Sequence, residues 1–101
     1  MPKRVLLRGV GPTLGDYGVN GALADPLITL FRGTEVVASN DDWNNAAGVT
    51  SASTAAGAFQ LGADSKDAAM VISLDPGVYT LHLSGVGGAS GIGLIEVYEI
   101  P

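Results

Sequence analysis

The 101-residue chain has no cysteine, one histidine, one tryptophan and only five basic residues against ten acidic ones. Each scarcity closes off a class of function. Without cysteine there is no disulfide framework, which suits the cytosol and equally suits an extracellular module whose core is sufficient by itself. A net charge of −5, with Lys3, Arg4, Arg8, Arg32 and Lys66 scattered, is the wrong sign and pattern for nucleic acid or an anionic membrane surface. No apolar run approaches the roughly 20 residues of a membrane-spanning helix. The opening Met1-Pro2-Lys3-Arg4 does not lead into a secretory signal core, because Arg8 and Gly9 interrupt it. The chain therefore reads as a mature domain with a start methionine. His82 is the only histidine, it has no acid partner apparent in the sequence, and no Gly-x-Ser-x-Gly elbow is present. A catalytic triad is thus not expected, and no enzyme activity is expected unless two acids meet in a cleft.

What is abundant points to a β protein. Hydrophobic residues make up 47% against 15% charged, which excludes a disordered tail. Fifteen glycines without a collagen period imply many tight turns. The length fits a single domain, residues 1–101.

Strand signals follow one another along the chain. Lys3–Arg8 is a short apolar run ending at the breaker Gly9-Val10-Gly11-Pro12, and Pro12 suits the first position of a helical turn reaching towards Gly18. Leu27–Phe31 and Glu35–Ser39 flank a hairpin link at Arg32-Gly33-Thr34. The small residues of Gly48–Phe59 suit one short helix, with Thr50 or Ser51 as its N-cap. Ala68–Leu74 is followed by the turn Asp75-Pro76-Gly77. Val78–Ser84 alternates, with Tyr79, Leu81 and Leu83 on one face and Thr80, His82 and Ser84 on the other. The Gly-rich stretch after Gly85 predicts a hairpin into Ile92–Ile100. With turn signals every roughly 8–12 residues, the expected fold is an all-β, antiparallel, jelly-roll-like β-sandwich of about six to eight strands with at most one short helix. Lys3, Arg4 and Arg8 would discourage edge pairing of the first strand. The last strand, with Ile92, Leu94, Ile95, Val97 and Ile100, is apolar on both faces, so one face meets the core and the other lies under a loop or against a neighbour.

The polar stretch "SNDDWNN", Ser39–Asn45, is where a ligand would be sought. Calcium takes six to eight oxygen ligands, and Asn40, Asp41 and Asp42 are the candidate donors. Asp25, Asp64 and Asp67 could join only if their loops converge. The spacing is not that of an EF-hand, and Asx residues also hold turns through their own hydrogen bonds. Trp43, beside Asn44 and Asn45, has the chemistry of a sugar platform, an indole face with amides for the hydroxyls. A lone tryptophan also packs commonly over a core edge. Gly9-Val10-Gly11 and Gly85-Val86-Gly87-Gly88 lack the rest of a dinucleotide fingerprint and read as turn glycines.

The segments "RVLLRGVGPTLGDYGV", "SNDDWNN", "DPGVYTLHLSGVGG" and "GIGLIEVYEI" together resemble β-sandwich modules near the C-termini of long secreted bacterial proteins. The "DPGVYTLHLSG…GIGLIEVYE" half is similar to the bacterial pre-peptidase C-terminal (PPC) type of domain. The opening "RGVGPTLGDYGV" is not part of that family's common pattern. The resemblance implies an extracellular or cell-surface, non-catalytic sandwich serving as spacer, adhesion or self-association unit, with neighbouring domains or copies of itself as partners and no cofactor. The alternative is a carbohydrate-binding module using Trp43 and the Asp/Asn loop, with a glycan as partner and calcium as a structural ion.

Overall fold

The structure is a computed structural model and describes residues 2–100. Among these residues six strands are present: β1 (Lys3–Val10), β2 (Pro26–Arg32), β3 (Glu35–Asn40), β4 (Ala68–Leu74), β5 (Tyr79–Gly85) and β6 (Leu94–Glu99). They form two three-stranded antiparallel sheets, ordered β4-β1-β6 and β3-β2-β5. The expected all-β sandwich is thus present, with six strands. One α-helix, α1 (Ala47–Ala56), and a 3₁₀ segment, Pro12–Tyr17, lie in the connections.

Strand β1 explains the layering. Its period-2 alternation sends Val5, Leu7 and Gly9 towards the second sheet, and Leu6, Arg8 and Val10 towards the opposite face. Val5, Leu7 and Ala68 meet Ile28 and Leu30 to form the inter-sheet core. On the other face Leu6, Val10 and Ala69 meet Leu14, Trp43, Val49, Ala52 and Leu61, all from connecting segments. The sandwich therefore carries a third layer, built by α1, the 3₁₀ segment and the loops around them. Both faces of β1 are buried, so its sequence is an almost continuous apolar run. Gly9 sets the spacing of the two sheets, because a Cβ there would come within 2.4 Å of Ile28 Cγ2.

Several expectations need correction. The Gly85–Gly93 stretch does not close a hairpin, since β5 pairs with β2 while β6 pairs with β1. The link crosses between sheets because it bonds to the β1–β2 connection. Leu23 N–H donates to Ile92 O at 2.7 Å, Ile92 N–H to Gly21 O at 2.9 Å, and Val86 N–H to Asp25 O at 2.9 Å. The first strand is no edge. β1 is central in its sheet, continues to Val10, and buries Arg8 completely. Helix α1 starts earlier than expected, behind Ala46, and has no side-chain N-cap; Thr50 Oγ1 instead donates back to Ala46 O. Gly57, at φ 74°, closes it in the left-handed conformation.

Candidate functional site

The Ser39–Asn45 loop is held from within and from below. Asn40 Oδ1 accepts the Ala69 N–H at 3.0 Å, which ties the end of β3 to β4. Asn44 and Asn45 both adopt φ 54°, the left-handed region that Asn tolerates better than most residues. Asn45 Nδ2 donates to Asp64 Oδ1 at 2.6 Å, and its Oδ1 accepts the Asp64 N–H at 2.7 Å. Trp43 is buried at 6% exposure, donates its Nε1–H to Ser65 Oγ at 3.1 Å, and belongs to the core beneath α1. Its ring offers no face for stacking on a sugar from solvent.

The acidic residues converge only in part, with Asp42 and Asp64 lining one cavity. Asp67 is fully buried and anchors the 3₁₀ segment. Its Oδ1 accepts the N–H groups of Gly11 at 2.7 Å and Thr13 at 3.3 Å. Its Oδ2 accepts the hydroxyls of Thr13 and Ser65, the latter at 2.6 Å. Asp25 pairs with Lys66 at 3.9 Å, and Asp64 belongs to Asn45. A cavity of about 250 Å³ is lined by Asp42, Asn44, Asn45, Asp64, Ser65 and Lys66. Asp42 contributes a buried Oδ1 with no partner, Asp41 is exposed, and Lys66 brings an ammonium to the same cavity. Among the described residues no three acidic, histidine or cysteine side chains are grouped to hold a metal ion.

Two other constellations escaped the sequence reading. Beneath α1, Arg8 is wholly buried with its Nε 3.0 Å from Glu96 Oε1. The N–H is not aligned with that oxygen, so the contact is a charge pair and not a directed hydrogen bond. Arg8 Nη1 donates to Phe59 O at 2.6 Å and Ser53 Oγ at 3.3 Å, and the guanidinium carbon lies 4.5 Å from the Phe59 ring centroid. Tyr98 O–H donates to Glu96 Oε2 at 2.5 Å. That hydrogen bond to the carboxylate raises the Tyr98 pKa, followed by burial and the Glu96 charge, with Arg8 opposing. The alternation of Leu6, Arg8 and Val10 was the available signal, once β1 is extended past Arg8.

At the far end of the sandwich a cleft of about 510 Å³ is lined by Arg32, Glu35, Val36, Val37, Ser73, Leu74, Asp75 and Tyr79. It contains two acids, Glu35 and Asp75, but both are exposed at its rim. Arg32 donates to Pro76 O at 3.2 Å and sits over Tyr79, with 5.6 Å from its guanidinium carbon to the ring centroid. His82 lies on the outer face of the second sheet, its ring centroid 4.7 Å from that of Phe31.

The two flanks of the sandwich differ. On one, β3 draws close to β4 and the Asn40–Ala69 bond joins them. On the other, β5 and β6 approach less closely, with Leu83 of β5 packing against Gly93 just before β6. There Ile92, Leu94, Ile95 and Val97 remain 54, 39, 42 and 58% exposed, although Ile95 and Val97 share the inward-facing parity of Val5 and Leu7. No family profile, curated protein or solved structure matches the chain.

Proposed function

We propose that the chain is a non-catalytic β-sandwich module of a secreted or cell-surface protein that works by association, as a spacer, adhesion or self-association unit. One observation carries this reading: exposed apolar side chains on β6, an edge strand paired with β1 on one side only. Contiguous exposed apolar surface beside free strand edges marks a contact surface. The likeness of "DPGVYTLHLSG…GIGLIEVYE" to PPC-type modules supports the extracellular setting. The partners on this reading are neighbouring domains of a longer chain or further copies of this one. The carbohydrate reading, with calcium as its ion, would need a platform other than Trp43, which is in the core, and a cation position away from Lys66. Light scattering on the isolated module from micromolar to millimolar concentration tests the proposal. A mass rising above that of one chain supports it. A constant single-chain mass, together with no binding to flanking domains, contradicts it.

A further inference from the structure

The chain contains a single Asn-Gly step, Asn20-Gly21. It lies in the β1–β2 connection, in a turn that follows the 3₁₀ segment. An asparagine followed by glycine is the step most open to attack on its own side chain, because glycine puts no Cβ beside the attacking backbone nitrogen. The fold leaves this step accessible. Both residues are exposed, and Gly21 N–H donates to no described residue. Gly21 has φ 77°, a conformation glycine enters and leaves freely, so the peptide unit between the two residues can swing. The other asparagines are less favoured. Asn40 and Asn45 are tied by their carboxamides to Ala69 and Asp64, and Asn44 is followed by the bulkier Asn45.

We propose that Asn20-Gly21 is a self-modification site. Gly21 N attacks Asn20 Cγ, the N–Cγ bond forms and the Cγ–Nδ2 bond breaks. Ammonia leaves, carrying the proton from Gly21 N, and a cyclic succinimide remains. Water then opens the ring at one of its two carbonyls. Opening at the side-chain carbonyl gives aspartate. Opening at the main-chain carbonyl gives isoaspartate, in which the chain runs through the former side chain. Water is the only co-reactant, and hydroxide accelerates the attack by deprotonating the amide. The position of the turn gives the two products different consequences. Gly21 O accepts Ile92 N–H at 2.9 Å, and Leu23 N–H donates to Ile92 O at 2.7 Å. These bonds hold the β5–β6 link against the β1–β2 connection. Their surroundings are tight. A Cβ at Gly91 would lie 3.0 Å from Gly21 O and 2.8 Å from Leu23 Cα, and one at Gly11 would lie 2.1 Å from Leu23 O. Isoaspartate inserts one more carbon into the main chain, about 1.5 Å of path, immediately before Gly21. Gly21 O is thereby displaced from Ile92 while Leu23 stays held between Gly11 and Gly91, and the crossing loosens. Aspartate keeps the path and only adds one negative charge to a chain already at −5.

The native chain, incubated at mildly alkaline and mildly acidic pH, is mapped by peptide mass spectrometry, with an L-isoaspartyl O-methyltransferase as the probe for isoaspartate. Both products are expected at position 20, faster at the alkaline pH and ahead of any change at Asn40, Asn44 or Asn45. Asn20→Gln is expected to lose the label, because its larger ring closes slowly. The native chain is expected to react within about tenfold of the urea-unfolded chain, a factor equivalent to ~1.4 kcal/mol of local opening. A native chain that stays unmodified while the unfolded one reacts would overturn the site. For the consequence, the isoaspartate form is purified and its amide exchange is compared with that of Asn20→Asp, which has the same charge and an ordinary main chain. The amides of Leu23 and Ile92 are expected to exchange faster by about tenfold or more in the isoaspartate form and to be unchanged in Asn20→Asp. Equal exchange in the two would overturn the loosening while leaving the modification site standing.

Discussion

Asp67→Ala is the substitution whose cost can be worked most directly from the structure. The carboxylate is fully buried and accepts from four donors: the N–H groups of Gly11 and Thr13 and the hydroxyls of Thr13 and Ser65. The hydroxyls can turn to other partners, but the two amides belong to the closed start of the 3₁₀ segment and cannot. A buried donor left unsatisfied costs about 1–3 kcal/mol. Two orphaned amides and a weakened hydroxyl pair therefore amount to about 4 kcal/mol, after allowing for relief of the cost of burying a carboxylate. A domain of this size has roughly 5–15 kcal/mol in total, so the variant sits close to unfolding, with a melting temperature lower by on the order of 20 °C. Asp67→Asn keeps one carbonyl oxygen for the two amides and is expected to lose only about 1–2 kcal/mol. Urea unfolding followed by fluorescence is a suitable assay. The sole tryptophan, Trp43, is buried, and its backbone N–H donates to Asp67 O at 2.9 Å. A loss below about 1 kcal/mol for Asp67→Ala, or equal losses for the two variants, would refute the view that this carboxylate organises the crossing from β1 to β2.

Further outcomes follow from the Arg8–Glu96–Tyr98 group. Tyr98 is expected to titrate above the ordinary tyrosine range in a near-ultraviolet absorbance titration, and Tyr98→Phe to remove that late step. Since its folded pKa is raised, its contribution to stability is complete below the ordinary tyrosine value of about 10 and is lost as the pH rises through the folded value. Glu96→Gln leaves the buried Arg8 guanidinium without its counter-charge and is expected to cost about 3–5 kcal/mol in denaturant unfolding. The double variant Arg8→Met/Glu96→Leu is expected to be more stable than Glu96→Gln, because it removes both charges together. A double variant no better than the single one would contradict that assignment.

The sequence carried the local structure well and the long-range arrangement poorly. Tyr79, Leu81 and Leu83 announce the inward face of β5 because alternation is a property of one strand alone, and Arg32-Gly33-Thr34 marks its hairpin because turn chemistry is local. The Gly85–Gly93 link has hairpin composition too, yet its backbone groups bond to Gly21, Leu23 and Asp25, more than 60 residues earlier. Nothing within the link encodes that choice. Arg8 was misleading for a related reason. A charge ends an apolar run in composition, but here Glu96, Ser53 and Phe59 converge on it from three distant segments. The polar loop was legible as a loop, with Asn44, Asn45 and Asp64 holding its backbone. That Trp43 turns inward depends on α1 and Leu61 closing over it, which is a tertiary fact.

Amide hydrogen exchange along β6, measured residue by residue at low and high protein concentration, tests the account most directly. The amides of Glu96 and Tyr98, bonded to β1, should be protected at every concentration. Those of Ile95, Val97 and Glu99 should exchange fast in dilute solution and slow together as concentration rises. Equal exchange of odd and even residues, or an absence of any dependence on concentration, would contradict an open β6 edge at which the module associates.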